Sequence, residues 1–371
     1  MTWRTIALAA IGVGALLSTA AAAPSTAGFG SSRPVTWVSV ASGQPTRVWV
    51  ETVAGGRLST DGGRTFRAPL STSAFRRAQV AQATLLADGK TLLGMPTVWS
   101  TQQFSPPRWS ADGGVTWHAA SLRGKDVHYD FGRKPAFVGE SPVTADPGDA
   151  GTAWFCQGNL YVTHDAGRSW AVSKPHFKRP WHCSALAIAT GSPHTLLLLA
   201  QAGRNTKRTA GKLLRSLNGG ASWSRLRAPR FPQLNYSGHA LVFDPAKPST
   251  ALMIAAAGHA IGALYRSQDS GFSWKRVRPA GSLRGAVVNE IAFTSDGRAL
   301  AIVRIKGLQN LIFSSFDGGL HWSIAPRLVL GTLKPAVYPS PLAASGSSFL
   351  LGTTTSGFWR LGTDARGWSR P

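Results

Sequence analysis

Apolar and polar residues alternate with a period of two in short runs from Val35 onward, the signature of half-buried strands and not of helices. Val35–Val40 and Arg47–Val50 show it first, and Gly55–Ser59 follows. Val80–Leu86 and Thr91–Pro96, Ala153–Cys156 and Leu160–Val162, Ser184–Ala189 and Leu196–Ala200 continue it. The later runs are Ala240–Phe243 and Ala251–Ala256, Ile291–Phe293 and Ala299–Val303, then Leu342–Ala344, Phe349–Leu351 and Phe358–Arg360. Turn formers separate the paired runs: Ala87–Lys90, Asp146–Asp149, Gly191–His194, Asp244–Lys247 and Ser295–Gly297. The runs group as units of four short strands, A to D.

One eight-residue phrase marks the turn from strand C to strand D. It reads hydroxyl, any residue, Asp, any, Gly, any, hydroxyl, aromatic. Copies stand at Ser59–Phe66, Ser110–Trp117, Thr163–Trp170, Ser216–Trp223, Ser267–Trp274 and Ser315–Trp322. Asn218 replaces the acid in the fourth copy and His321 the second hydroxyl in the sixth; a worn seventh lies at Asp364–Trp368. The acidic position recurs after 51, 53, 53, 51, 48 and 47 residues. A period near 50 in a β-rich chain indicates propeller blades. Within the phrase, the Asp accepts backbone N–H bonds in the turn, the Gly takes positive φ, and the aromatic opens the next strand with a ring to bury.

These phrases resemble the Asp-box (BNR) repeat of sialidases, sortilin-type receptors, some glucanases and photosystem II assembly factors; the chain looks closest to the assembly-factor and sialidase-like secreted propellers. The resemblance implies that the box is a structural turn, so Asp61, Asp112, Asp165, Asn218, Asp269 and Asp317 are scaffold residues. The expected fold is a single all-β propeller over 34–371 with seven blades. Six or eight remain open if the worn C-terminal unit or the N-terminal strands pair otherwise. In a four-stranded meander the A–B and C–D turns share one face. The B–C and D–A loops share the other, where function usually sits.

Residues 1–23 change the picture of compartment. Ile6–Leu17 is an apolar run preceded by Arg4 and followed by small residues up to Ala23, a secretory signal peptide with cleavage near Ala22. Retention as an anchor is the alternative. No Cys follows the run and no Arg pair precedes it. The expected location is secreted, periplasmic or extracellular. With two cysteines in such a chain, a Cys156–Cys183 disulfide is expected, the alternative being two buried thiols.

The chain carries Lys+Arg 40 against Asp+Glu 16, a net +24. Between Val172 and Arg284 there are 17 basic residues and two acids, Asp244 and Asp269. The predicted loops there hold Lys178, Arg179, Arg204, Lys207, Arg208 and Lys212, with Phe177, Trp181, Phe231 and Tyr236 interleaved. Such a sector suits an anionic polysaccharide, wall polymer, membrane surface or protein partner. An exported protein meets these before nucleic acid; a solvated basic surface is the bland alternative. A monomer is expected.

Most acids fall in boxes or A–B turns. Glu51, Asp126, Asp130, Glu140 and Glu290 remain, near the predicted loop face, as does Tyr129. An exo-acting glycoside hydrolase would draw on Asp126, Tyr129, Asp130, Glu140 or Glu290 as carboxylates and nucleophile. The sialidase comparison stops short of residues, because no Arg-Ile-Pro motif lies between Pro34 and Ser59. The glucanases with this repeat use a second propeller. No nucleophile elbow or phosphate loop is present, and His176, His182 and Cys183 fit no zinc spacing. No cofactor or metal is expected. The leading expectation is a non-catalytic binding or scaffold module working through the loop face.

Overall fold

The computed structural model describes residues 34–52, 54–67, 80–96, 107–123, 143–178, 181–191, 194–202, 211–226, 241–257, 260–278, 286–305, 311–325, 342–353, 357–362 and 367–369. Arg179, Arg204, Lys207, Arg208, Asp126, Tyr129, Asp130, Glu140, Asp364 and the whole leader lie outside them.

Blade 1 contains β1 (Val35–Ala41), β2 (Gln44–Thr52) and β3 (Gly55–Ser59), and Arg67 N–H donates to the Leu58 carbonyl at 3.1 Å to begin its fourth strand. Blade 2 is β4 (Val80–Leu85), β5 (Leu92–Pro96), β6 (Arg108–Ser110) and β7 (His118–Ala119). Blade 3 takes an extra strand, β8 (Ser121–Arg123), before β9 (Thr144–Ala145), β10 (Ala153–Gln157), β11 (Asn159–Thr163) and β12 (Ser169–Val172). Blade 4 is β13 (Trp181–Ile188), β14 (Leu196–Ala202), β15 (Gly211–Ser216) and β16 (Ser224–Arg225). Blade 5 is β17 (Leu241–Phe243), β18 (Ala251–Ala257), β19 (Ala260–Ser267) and β20 (Lys275–Val277). Blade 6 is β21 (Ala286–Phe293), β22 (Ala299–Ile305), β23 (Leu311–Ser315) and β24 (Ser323–Ile324). Blade 7 is β25 (Leu342–Ser345), β26 (Ser348–Thr353), β27 (Gly357–Leu361) and β28 (Trp368–Ser369).

Strands pair antiparallel in sequence order within each blade, except that β8 adds in parallel to the outer edge of blade 3 at β12. The first strands, β1, β4, β9, β13, β17, β21 and β25, touch one another in turn, and β25 returns to β1. The chain is therefore a ring of seven four-stranded blades, the innermost strand being the first of each.

The hydrophobic core is divided among the seams. Each of seven buried clusters joins one pair of neighbouring blades, as Leu197, Leu199 and Leu213 of blade 4 pack on Leu241, Phe243 and Met253 of blade 5. The last seam closes the ring: Val35, Val38, Val48, Val50 and Phe66 meet Leu350 and Phe358.

The repeated turn works as expected and does more. Ser267 Oγ donates to Asp269 Oδ1 at 2.8 Å and accepts from Gly271 N–H at 2.8 Å; Ser273 N–H also donates to Asp269 Oδ1. In the fourth copy Asn218 Nδ2 donates to Ser222 Oγ at 2.9 Å, reversing the donor that an Asp would require. In the sixth, His321 Nδ1 bonds Asp317 Oδ2 at 2.6 Å in place of the hydroxyl. Each turn also grips the preceding blade. A Cβ on Gly271 would sit 2.5 Å from Leu197 Cδ2 of blade 4, and one on Gly319 would sit 2.8 Å from Leu252 Cδ2 of blade 5. Arg266 Nε of blade 5 donates to the Gly318 carbonyl of blade 6 at 2.6 Å. Gly271 and Gly319 are thus fixed twice, by positive φ and by close approach.

The turns share a face with the A–B turns, because Gly62 N–H donates to the Thr46 carbonyl, Gly219 N–H to that of His194 and Ser270 N–H to that of Ser249. The A–B turns also link across seams. His194 Nε2 lies 3.2 Å from Asp146 Oδ1 between blades 4 and 3, and Ser345 Oγ donates to the Pro45 carbonyl across the closure.

Two expectations about the loop face need correction. Lys212 was expected in a loop and Glu290 near the loop face; Lys212 belongs to β15, and Glu290 is buried in β21. β8, which no alternating run marks, pairs in parallel with β12, Leu122 opposite Trp170. Cys156 and Cys183 are joined, their Cα atoms 5.1 Å apart across the seam of blades 3 and 4.

Candidate ligand-binding face

β13 starts at Trp181 on the face opposite the repeated turns, directly after the blade 3 to blade 4 connection. Three interactions fix this corner. Cys183 N–H donates to the Gly158 carbonyl at 2.8 Å, beside the disulfide. Phe177 N–H donates to Asn159 Oδ1 at 3.0 Å, and the Phe177 ring packs on the seam. Trp181 N–H donates to the Lys178 carbonyl at 2.9 Å, and the Lys178 side chain is exposed.

Lys212 reaches over this corner from β15, its Nζ 3.5 Å from the Trp181 ring centroid. The register allows it: Ala200 of β14 faces Cys183 on one side and Lys212 on the other, while Ala202 faces Trp181. An ammonium over an indole face is attracted by the ring quadrupole. Burial pushes Lys212 below the ordinary lysine value, and the Arg225 charge adds to that shift. The corner is an aromatic plate with a cation on it and two further cations, Lys178 and Arg225, at its margin. It can stack against a planar or CH-rich group while pairing with an anion. Of the six sequence-predicted binding residues, Lys178 and Lys212 are brought to this corner.

The acids behave differently from expectation. Glu51 is 3% exposed and Glu290 2% exposed, in blades 1 and 6 respectively. Neither is an available loop-face carboxylate. Glu51 Oε1 accepts from Trp49 Nε1 at 3.0 Å and from Ala83 N–H at 2.6 Å, and Oε2 accepts from Gln82 N–H at 2.9 Å. Gln82 has φ 54 in the bulge of β4, so its N–H and that of Ala83 leave the ladder. The carboxylate of blade 1 takes the place of those lost ladder bonds. Burial drives Glu51 up to about 7 against the three donors that lower it. The group holds a seam. Among the described residues no three His, Cys, Asp or Glu side chains gather as a metal would require.

Sequence reasoning missed one surface. Leu217, Phe272, Phe316, Leu320 and Ile324 are exposed on the repeated-turn side of blades 4 to 6. The first four occupy variable positions of the turn phrase, and apolar residues there were the available signal.

No protein-family model matches the chain, and no curated protein matches it. Solved structures do resemble it. YCF48 from Cyanidioschyzon merolae superimposes with a TM-score of 0.55 at 13% identity, covering 91% of this chain and 97% of that one. A structure of YCF48 bound to a D1 peptide gives 0.52 at 14% identity, covering 90% and 95%. Saccharomyces cerevisiae Sqt1 gives 0.54 at 11% identity, covering 92% and 85%. At these identities the likeness is one of fold.

Proposed function

We propose that the protein is a non-catalytic binding or scaffold module that holds an anionic partner on the face of blades 3 and 4 opposite the repeated turns. The observation that carries the reading is the Lys212 ammonium stacked on Trp181, fixed by the disulfide-linked seam and flanked by Lys178 and Arg225. The residues are pre-organised, so little side-chain freedom is lost on binding. An acidic peptide segment is the first ligand to try, since a propeller of the same fold has been solved with a peptide bound. Anionic glycans and wall polymers share the required chemistry. We also take the repeated turn as an Asp-box and residues 1–23 as a secretory leader. The hydrolase reading gains nothing from the one described residue of its set, Glu290, which is buried in β21.

The test is an array of acidic peptides and anionic glycans, probed at low and moderate salt. Wild type should retain a subset of ligands, more weakly as salt rises. Trp181→Ala and Lys212→Ser should each weaken that retention about tenfold or more, as expected of a desolvated cation–π contact. Equal retention by wild type and both variants would sink the reading.

A further inference from the structure

The opposite face carries a second feature that the proposed binding corner does not use. Among the described residues, six large apolar side chains are strongly exposed: Val115, Leu217, Phe272, Phe316, Leu320 and Ile324. Five of them stand on three consecutive blades, 4, 5 and 6. Four lie in the repeated turns, and Ile324 lies on the outermost strand just beyond one. All C–D turns point to one face, so these side chains share a rim. Soluble surfaces scatter single apolar residues; a run of them along one rim marks a contact surface.

The surroundings indicate what it contacts. Arg215 lies over the Phe272 ring, 5.4 Å from its centroid, and bonds the Asp269 carbonyl. Lys275 and Arg276 on β20 are exposed on blade 5, just beyond its repeated turn. The acids of this face in blades 5 and 6 all have partners: Asp269 and Asp317 within their own turns, Asp244 with Ala246 N–H and Lys247 N–H, and Asp296 with Thr294 and Arg298. The turns satisfy their own backbone as well: Gly271 N–H and Ser273 N–H are bonded to turn side chains, as are Gly319 N–H and His321 N–H. Such turns enter a low-dielectric boundary without exposing unpaired groups. A chain of net +24 repels a second copy of itself. The five project from three separate blades, Phe316 and Leu320 sharing the turn of blade 6 with Ile324 just beyond it, and so are spread along the rim. A fluid apolar phase beneath anionic headgroups fits separate projections better than a shaped protein pocket does.

We propose that the repeated-turn rim of blades 4 to 6 docks on an anionic lipid bilayer, with Leu217, Phe272, Phe316, Leu320 and Ile324 entering the headgroup boundary and the flanking cations meeting anionic lipid. Shallow apolar insertion and a polybasic margin are the two signals that together give stable peripheral attachment.

The experiment is co-sedimentation of the full chain with vesicles of phosphatidylcholine containing about 30% phosphatidylglycerol, and with phosphatidylcholine alone. Wild type should sediment with the anionic vesicles and release as salt rises. The exposed triple variant Leu217→Ser/Phe272→Ser/Phe316→Ser, checked for an unchanged melting curve, should lose about tenfold or more in partitioning. Lys275→Gln/Arg276→Gln should flatten the salt dependence. Lys178→Ser/Lys212→Ser, on the other face, should sediment as wild type does, which separates this surface from the proposed binding corner. Wild type left in the supernatant overturns the proposal and makes an acidic protein the partner to seek. A triple variant that sediments fully, or a loop-face variant that does not, also overturns it.

Discussion

At the scale of single residues, the two left-handed positions of the repeated turn set the terms. Gly62, Gly113, Gly219 and Gly318 take the first with φ between 64 and 76, but Ala166 and Ser270 take it with φ 57 and 55. A non-glycine residue there carries backbone strain of about 1 kcal/mol or more. Ser270→Gly should therefore raise stability by up to about 1 kcal/mol, offset in part by the freer unfolded chain. Gly271→Ala should cost more than about 2 kcal/mol, because positive φ and the Leu197 contact both oppose a Cβ. Denaturant midpoints of the two variants check both signs, and equal midpoints would contradict the account. Glu51 gives a pH prediction. Its folded value of about 7 lies above the ordinary 4.5, so the folded chain binds more protons between those limits. Stability is then greatest below about 4.5 and falls as pH rises toward 7, by up to about 3 kcal/mol from this group. The measurement is the difference between wild type and Glu51→Gln across that window. The variant should be less stable at low pH and show a flatter decline; parallel curves would show that burial does not hold the proton.

Individual elements explain much of the charge and the placement of aromatics. Outer strands are open edges, and β16 and β20 blunt theirs with exposed Arg225, Lys275 and Arg276. β12, Ser169–Val172, has no charge, and β8 covers it. Leu122→Pro should unpair β8, cost about 1–3 kcal/mol and expose an aggregating edge, seen as light scattering below the melting temperature. The aromatic that ends each turn was expected to bury its ring between blades. Trp170 is fully buried, and Trp274 is half-buried against the seam of blades 4 and 5, its Nε1 bonded to the Gly271 carbonyl at 2.8 Å. Trp170→Ala should cost about 3–5 kcal/mol, and Trp274→Ala nearer 2. The strands were legible because alternation and turn residues agree locally: Val35–Val40, Leu196–Ala200 and Ala299–Val303 appear within a few residues of their expected bounds. Two inner strands were read short at a bulge, β13 from Ser184 and β21 from Ile291. β21 places Val288, Glu290 and Ile291 all in buried positions around its bulge, so its first half resembled loop. β8 was illegible because parallel pairing with β12, distant in sequence, leaves no local pattern. The binding corner was half-legible: its cations and Trp181 stood out, but stacking across β14 depends on register that composition does not carry.

For the whole molecule the decisive question is how a ring made of local units stays shut. Each described strand of a blade comes from a consecutive stretch, and none crosses from the C-terminal unit into the first. Closure among the described residues rests on side chains: Phe66 and Phe358 meet edge to face at 5.4 Å, and Ser345 bonds the Pro45 carbonyl, 300 residues away in sequence. Other seams join neighbours in sequence, and the seam of blades 3 and 4 is also held by the Cys156–Cys183 bond, which closes a 27-residue separation. That bond should contribute about 3 kcal/mol by restricting the unfolded chain. The closure seam has no such covalent help and must form from the most distant contacts, where the entropy of bringing chain ends together is greatest. Phe358 is nearly fully buried in it, so Phe358→Ala should cost about 3–5 kcal/mol. The loss should also be local. In native-state hydrogen exchange, amides of β1–β3 and β25–β27 should lose protection first, while β10–β15 beside the disulfide stay protected at the wild-type level until global unfolding. Uniform loss of protection around all seven blades would mean that the ring opens as one unit, and that the closure seam is no weaker than the others.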